Sequence, residues 1–185
     1  MKKLKVTIIG YGGMGSFHAK LIQANPEVEV HGIFDILESR QQAGEADGYS
    51  AYASLEEALN DACADTILIA TPNDVHKEIA VQALEAGKHV ICEKPVTLTS
   101  EELSEIMNIA EEQGRVFMVH QNRRWDSDFQ MVKDLYENRK IGEVFHIESR
   151  VQGANGIPGD WRHLKAHGGG MLLDWGVHLL DQLLY

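Results

Sequence analysis

The apolar run Val6-Thr7-Ile8-Ile9 stops at Gly10-Tyr11-Gly12-Gly13-Met14-Gly15. Glycines at the first, third and sixth positions, behind a β-branched run and ahead of a helical pattern, admit few folds. The first permits a tight turn out of a strand, the second lets the backbone approach a bound group, and the third lets the following helix pack against the strand. Met14, His18 and Leu21 come next at i, i+4 and i+7, the spacing of an apolar helix face. A helix that starts directly after such a turn offers unpaired N–H groups to an anion, and Gly10, Gly12, Gly13, Met14 and Gly15 are therefore the candidate pyrophosphate seat.

A dinucleotide site also needs an acid at the end of the second strand, about 20 residues further on. Asp35 closes the run His31-Gly32-Ile33-Phe34, twenty residues past Gly15. Its carboxylate would accept hydrogen bonds from the adenosine ribose hydroxyls and repel a 2′-phosphate, so NAD is favoured over NADP. Arg40 is the cation that could answer such a phosphate. The alternative is a glycine turn beside a solvated aspartate, and the joint presence of strand, glycines, helix and acid argues against it.

Through residue 122, short β-branched runs alternate with helical patterns, which predicts parallel strands at 5–9, 29–34, 49–52, 66–70, 89–92 and 116–119. Six such strands make a doubly wound sheet, and their continuous apolar runs suit strands covered on both faces. Leu103, Ile106, Met107 and Ala110 form the core stripe of a helix behind the N-cap candidate Ser100. Beyond residue 122 the pattern predicts a helix over 126–138, a strand over 143–151, a loop over 153–167 and a last helix from about residue 170. Along 143–151, Phe145, Ile147 and Val151 alternate with His146, Glu148 and Arg150, the pattern of an open sheet wet on one face. The fold class is α/β: a nucleotide-binding domain over 1–122, then the start of an α+β substrate and oligomerisation domain over 123–185. The last helix reaches Leu183-Leu184-Tyr185 with no glycine, asparagine or basic cap, so the chain is expected to be the N-terminal piece of a longer polypeptide.

A formal net charge of −11 with scattered basic residues argues against a nucleic-acid partner. Apolar residues at 44% and charged residues at 24% are those of a folded globular chain. Cys63 and Cys92 stand far apart, which suits a reducing compartment and no disulfide framework. The amino-terminal apolar run breaks at glycines within a few residues, so neither a signal peptide nor a membrane span is expected, and the cytoplasm is the expected location.

Two further places carry chemistry. Glu93-Lys94-Pro95 falls at the carboxyl end of the His89–Cys92 run, the edge where open α/β sheets bind ligands. A lysine there is a candidate proton donor or hydroxyl anchor, or else a surface lysine. On the last helix, Asp174, His178 and Asp181 (i, i+4, i+7) share one face amid leucines, valine and tryptophan. Such a polar stripe lines a cavity or is satisfied internally. His120, His163, His167 and His178 invite a metal, but their spacing fits no compact zinc motif, and none is expected.

Ala70-Thr71-Pro72-Asn73-Asp74-Val75-His76, Glu93-Lys94-Pro95 and Gly168-Gly169-Gly170-Met171-Leu172-Leu173-Asp174-Trp175-Gly176-Val177-His178-Leu179-Leu180-Asp181 stand in one register with the glycine turn. With it they resemble the Gfo/Idh/MocA family of glucose–fructose oxidoreductases and inositol dehydrogenases. The resemblance implies an NAD-dependent oxidoreductase of a sugar, inositol or related polyol, with Lys94 catalytic, Pro95 after a cis bond, His178 taking the hydroxyl proton and Asp174 holding a neighbouring hydroxyl. It implies that Thr71, Pro72, Asn73, His76 and Glu93 serve the cofactor, and that Asn122, Arg123, Trp161 and Arg162 are substrate-side candidates. It further implies a homodimer or homotetramer. Two rival readings are a non-catalytic NAD-binding regulator, which would be expected to lack Lys94 or His178, and an NAD-dependent glycoside-cleaving enzyme.

Overall fold

The structure, a computed structural model, describes residues 3–153, 156 and 159–185. Its chain forms two compact units, 1–120 and 121–185.

The first unit is built on five parallel strands, β1 (Leu4–Ile9), β2 (Val28–Phe34), β3 (Thr66–Ile69), β4 (His89–Cys92) and β5 (Phe117–Val119), in the order β2-β1-β3-β4-β5. Alternate side chains leave the sheet on opposite faces. Ile9, Ile67, Ile69, Val90 and Cys92 pack with helices α3 (Leu55–Asn60), α4 (His76–Glu85) and α5 (Ser100–Glu112). Val6, Ile8, Ile33 and Leu68 pack with α1 (Gly13–Gln23) through Ala19 and Ile22. On that side too, Gly44 of α2 (Glu38–Ala46) approaches Ile33 so closely that an added Cβ would lie 2.8 Å from its side chain. With apolar layers on both faces, the strands need no polar alternation, which is why their runs are continuous.

Several elements differ from the sequence reading. The strand expected at 49–52 is reduced to one parallel bridge from Ala51 to Ile33, closed by the Ser50 carbonyl and the Tyr52 N–H, while the Tyr49 N–H turns back to the Gly44 carbonyl. The buried face of α1 is Gly15, His18 and Ala19, while Leu21 is exposed. Helix α5 is capped by Thr99, whose side chain accepts from the Glu102 N–H in a reciprocal capping box, and Ser100 is the first helical residue. In that helix Ile106 and Ala110 are buried but Met107 is exposed.

In the second unit, α6 (Ser127–Glu137) is followed by a segment over 143–151 that forms no strand, with Phe145 97% exposed. Nothing among the described residues pairs with its N–H and C=O groups, so its alternating pattern has no sheet to enter. Of the loop expected over 153–167, residues 154, 155, 157 and 158 lie outside the described residues. The last helix opens with a π-helical turn, Leu172–Gly176, and continues as α7 (Val177–Leu184). Its leucines are not all covered by the described residues, for Leu172, Leu180, Leu183 and Leu184 are exposed. No described helix is long and apolar enough to cross a membrane.

Candidate functional site

Strand register creates the site. Pairing places Phe34, Ile9, Ile69, Cys92 and Val119 in one row across the sheet. The residues one step beyond that row, Asp35, Gly10, Ala70, Glu93 and His120, therefore make up the carboxyl edge, where doubly wound sheets take their ligands.

At the left of this edge the glycines divide into two kinds. Gly10, at φ 91°, donates its N–H to the Phe34 carbonyl at 2.7 Å, and a Cβ on it would lie 2.7 Å from the Ala70 carbonyl oxygen. A Cβ on Gly15 would lie 1.9 Å from the Gly10 oxygen, so helix and turn meet with no room for a side chain. A Cβ on Gly12 or Gly13 would touch nothing within 4 Å. Nothing among the described residues requires the absence of a side chain at these two positions, and the vacant volume lies at the N-terminus of α1. That helix starts at Gly13 with no side-chain cap and no acid in its first turn, so its unpaired N–H groups and the positive end of its dipole face the space. A pyrophosphate fits such a cradle in both shape and charge. Met14 is half-buried beside it.

Asp35 is tied into the same turn. One carboxylate oxygen accepts the Tyr11 N–H at 2.8 Å and the other the Leu37 N–H at 2.9 Å. Each oxygen keeps a second lone pair for a ribose hydroxyl. Arg40 is exposed in the first turn of α2.

At the exits of β3 and β4, the structure moves two expected cofactor contacts to a supporting position. His76 is fully buried, with Nδ1 2.9 Å from the Pro95 carbonyl oxygen and Nε2 2.9 Å from that of Thr71, so it braces the loop from behind. Burial keeps its pKa below the ordinary histidine value. Glu93, 6% exposed, is likewise turned inward. Its Oε1 lies 2.6 Å from His18 Nε2 and 3.0 Å from His120 Nδ1, the latter an ionic contact without the alignment of a hydrogen bond. Burial pushes the Glu93 carboxyl up, but the two imidazoles outweigh it and bring it to about 2. Thr71, Pro72 and Lys94 remain half-buried at the edge, Asn73 is buried, and the Lys94–Pro95 bond is cis.

The sequence reading places His18 only on a helix face and weighs His120 only as a metal ligand, so neither is expected beside Glu93. The available signal was His18 itself: a histidine on the packed face of a helix needs a polar partner. Among the described residues His18, Glu93 and His120 also form one of two groups with metal-type donor atoms within 4.8 Å of one another; the other is His31, Asp61 and Cys63.

In the second unit the helical stripe is held by arginines. Arg124 grips Asp181 with two hydrogen bonds of 2.8 and 2.6 Å, which makes Asp181 a supporting residue. Arg123 pairs with Asp126 at 2.8 Å and lies 4.2 Å over the Trp175 ring. Arg162 bonds Asp160 at 2.6 Å, stacks on Trp161 and comes within 3.7 Å of Asp174. His178, 5% exposed, meets the Trp175 ring edge-on. Asn122 begins a 3₁₀ turn and is half-buried. The candidate residues thus divide between the units, with Lys94 in the first and Asp174 and His178 in the second.

Two family models match the chain in succession. A family model described as "Oxidoreductase family, NAD-binding Rossmann fold" matches residues 4–121, and one for the GFO/IDH/MocA C-terminal domain matches 129–185. The chain is 38% identical to the uncharacterized oxidoreductase YdgJ of Escherichia coli (strain K12), over 98% of this chain and 53% of that protein. It is 33% identical to the scyllo-inositol 2-dehydrogenase (NADP(+)) IolW of Bacillus subtilis, over 98% of this chain and 51% of that protein. The crystal structure of an NAD-binding protein from Listeria innocua superposes with a TM-score of 0.97 at 63% identity, over 99% of this chain and 54% of that one. The chain spans about half the length of the curated relatives it matches. A parallel five-stranded Rossmann sheet with its glycine turn, followed by a stretch matching the C-terminal domain, shows that the chain belongs to the GFO/IDH/MocA family of oxidoreductases.

Proposed function

We propose that this chain carries the nucleotide site and the polar catalytic groups of an NAD-dependent dehydrogenase that acts on a hydroxyl of a sugar, inositol or related polyol. The observation that carries the reading is the open volume at Gly12 and Gly13 over the start of α1, where the protein has no packing use for glycine. Asp35 at the end of β2 favours NAD: a 2′-phosphate would bring negative charge against its carboxylate. The substrate class is supported by a relative that bears the name scyllo-inositol 2-dehydrogenase, although that protein's name specifies NADP(+).

Bound nicotinamide supplies the hydride acceptor. In this reading the His178 imidazole takes the proton of the reacting hydroxyl, Lys94 donates a hydrogen bond that orients a substrate hydroxyl, and Asp174 accepts from a neighbouring hydroxyl. Thr71, Pro72 and Asn73 wall the nicotinamide side. Asn122, Arg123, Trp161 and Arg162 are held in reserve as substrate-side groups.

The test uses the whole protein. Calorimetric titration with NAD and NADP should show tighter binding of NAD, and a screen of polyols, inositols and aldoses should give net NADH formation with at least one. Lys94→Ala and His178→Ala should each lower kcat by roughly 10²-fold or more. Nucleotide binding without NADH formation from any polyol, and without an effect of either substitution, would leave a binding protein in place of an enzyme. Cleavage of a glycoside with no net NADH would point to transient oxidation.

A further inference from the structure

Lys94 lies between two residues that are each held by a buried imidazole, His18 on one side and His76 on the other. On its amino side, the Glu93 carboxylate is 2.6 Å from His18 Nε2 and 3.0 Å from His120 Nδ1, and the two rings meet edge to face with centroids 4.5 Å apart. The second Glu93 oxygen accepts the N–H of Lys94 itself at 3.3 Å. On its carboxyl side, the Pro95 carbonyl lies 2.9 Å from His76 Nδ1, and the other nitrogen of that ring reaches the Thr71 carbonyl. His18 comes from α1, His76 from α4, and His120 follows β5, so three separate elements converge on one tripeptide.

His18, Glu93 and His120 are donors a divalent metal could use, but their spacing suits a hydrogen-bonded cluster better. Tetrahedral zinc with bonds of about 2.0–2.1 Å separates its ligand atoms by about 3.3 Å. The His18 to Glu93 separation of 2.6 Å is a charge-assisted hydrogen bond. Both partners are nearly sealed from water, where such a bond is strongest.

We propose that His18, His120 and His76 are positioning residues for Lys94: by clamping Glu93 and Pro95 they fix the backbone on both sides of the lysine, so that its ammonium group meets a substrate hydroxyl in one orientation. The inference rests on the reading of Lys94 as a substrate-facing group. A lysine has a flexible four-carbon stem, so the precision of its head group depends on how firmly its backbone is held.

The experiment compares Glu93→Gln, His76→Ala and His76→Gln with the unaltered whole protein. Three quantities are read: kcat against KM for the polyol, NAD affinity, and the rate at which trace acetic anhydride acetylates Lys94, followed by peptide mass spectrometry. Loosening either clamp should lower kcat by roughly 10–100-fold, the effect of displacing a reacting group by about 1 Å. KM and NAD affinity should stay within about threefold, well under the tenfold that 1.4 kcal/mol of lost binding would give. The acetylation rate should change several-fold, and His76→Gln, which keeps one N–H donor, should recover part of what His76→Ala loses. Should His76→Ala fail to fold, Glu93→Gln carries the same test from the other side with nearly unchanged volume. Folded variants with unaltered kcat and unaltered Lys94 acetylation would overturn the proposal. One equivalent of zinc retained by the unaltered protein and lost in Glu93→Gln would overturn it in favour of a metal site. If Lys94→Ala retains full turnover, the role of Lys94 falls; the acetylation rates still show whether the clamps hold it.

Discussion

Gly12 and Gly15 provide a matched pair of perturbations, because one is required by the protein and the other by its ligand. A methyl group on Gly15 would sit 1.9 Å from the Gly10 carbonyl oxygen and 3.3 Å from Ile8. The first of these neighbours is backbone, so relief requires the turn and α1 to part by more than an ångström. Overpacking of this kind costs about 3 kcal/mol, at the upper end of its usual range, and in a chain of this size that lowers Tm by roughly 6–12 °C. A methyl group on Gly12 meets nothing, and the residue's φ of −82° is open to alanine. Gly12→Ala should therefore change stability by no more than about 1 kcal/mol. It should nonetheless weaken NAD binding by roughly 10–100-fold, the worth of one charge-assisted hydrogen bond lost when the phosphate is pushed off the helix N-terminus. Thermal melts without ligand and calorimetric titration with NAD on both variants separate the two effects. Gly12→Ala binding NAD as tightly as the unaltered protein, or melting as early as Gly15→Ala, would refute the assignment of that volume to a pyrophosphate.

Asp35→Ser should weaken NAD and narrow the preference over NADP, read by titrating both nucleotides; an unaltered protein with equal affinities would remove the role given to Asp35. Glu93 has its folded pKa lowered from 4.5 to about 2, so its contribution is full above about pH 4.5 and is lost as pH falls toward 2. Urea unfolding of Glu93→Gln should accordingly show a loss of about 3 kcal/mol at pH 7 that shrinks below pH 4.5. Lys88, buried, donates to the carbonyls of Asp61 at 2.5 Å and Ala64 at 2.9 Å. Lys88→Met leaves both acceptors dry and should lower stability by about 1–3 kcal/mol or more, measurable as a shift in the urea midpoint.

Local patterns made much of this readable from sequence. The glycine turn, the strands at its flanks and the acid at Asp35 form a unit of about 30 residues whose geometry follows from neighbours along the chain. The failures have equally local causes. The run 49–52 has strand-forming residues, but it closes only one bridge, at Ala51, since pairing depends on what lies beside a strand as well as on what is in it. The segment 143–151 carries a correct two-residue period, and the sheet that period calls for is absent from the described residues. The histidine clamps were beyond reach for another reason. His18 and Glu93 lie 75 positions apart, and Glu93 meets His120 only because β4 and β5 pair in a register that sequence spacing does not reveal. The supporting place of His76 does not show in sequence, because a buried ring set between two carbonyls, donating to one of them, looks there the same as one that faces a ligand.

The central place of β1 has a consequence for the order in which the protein becomes competent. β1 is flanked by β2 on one side and β3 on the other, so the strand made first needs partners that are made later. During synthesis the whole glycine turn exists once residue 15 has been added, and its acid by residue 35. The wall against which Gly10 rests, the Ala70 carbonyl, does not. Until β3 docks, one edge of β1 is unpaired and the turn is free to open. Nucleotide capture is thus delayed until a non-local contact has closed, and slow steps of this kind tend to limit folding rates in parallel sheets. A nascent chain of this family would acquire its affinity for a nicotinamide dinucleotide only once the third strand is made, so that the cofactor itself can report how far folding has advanced.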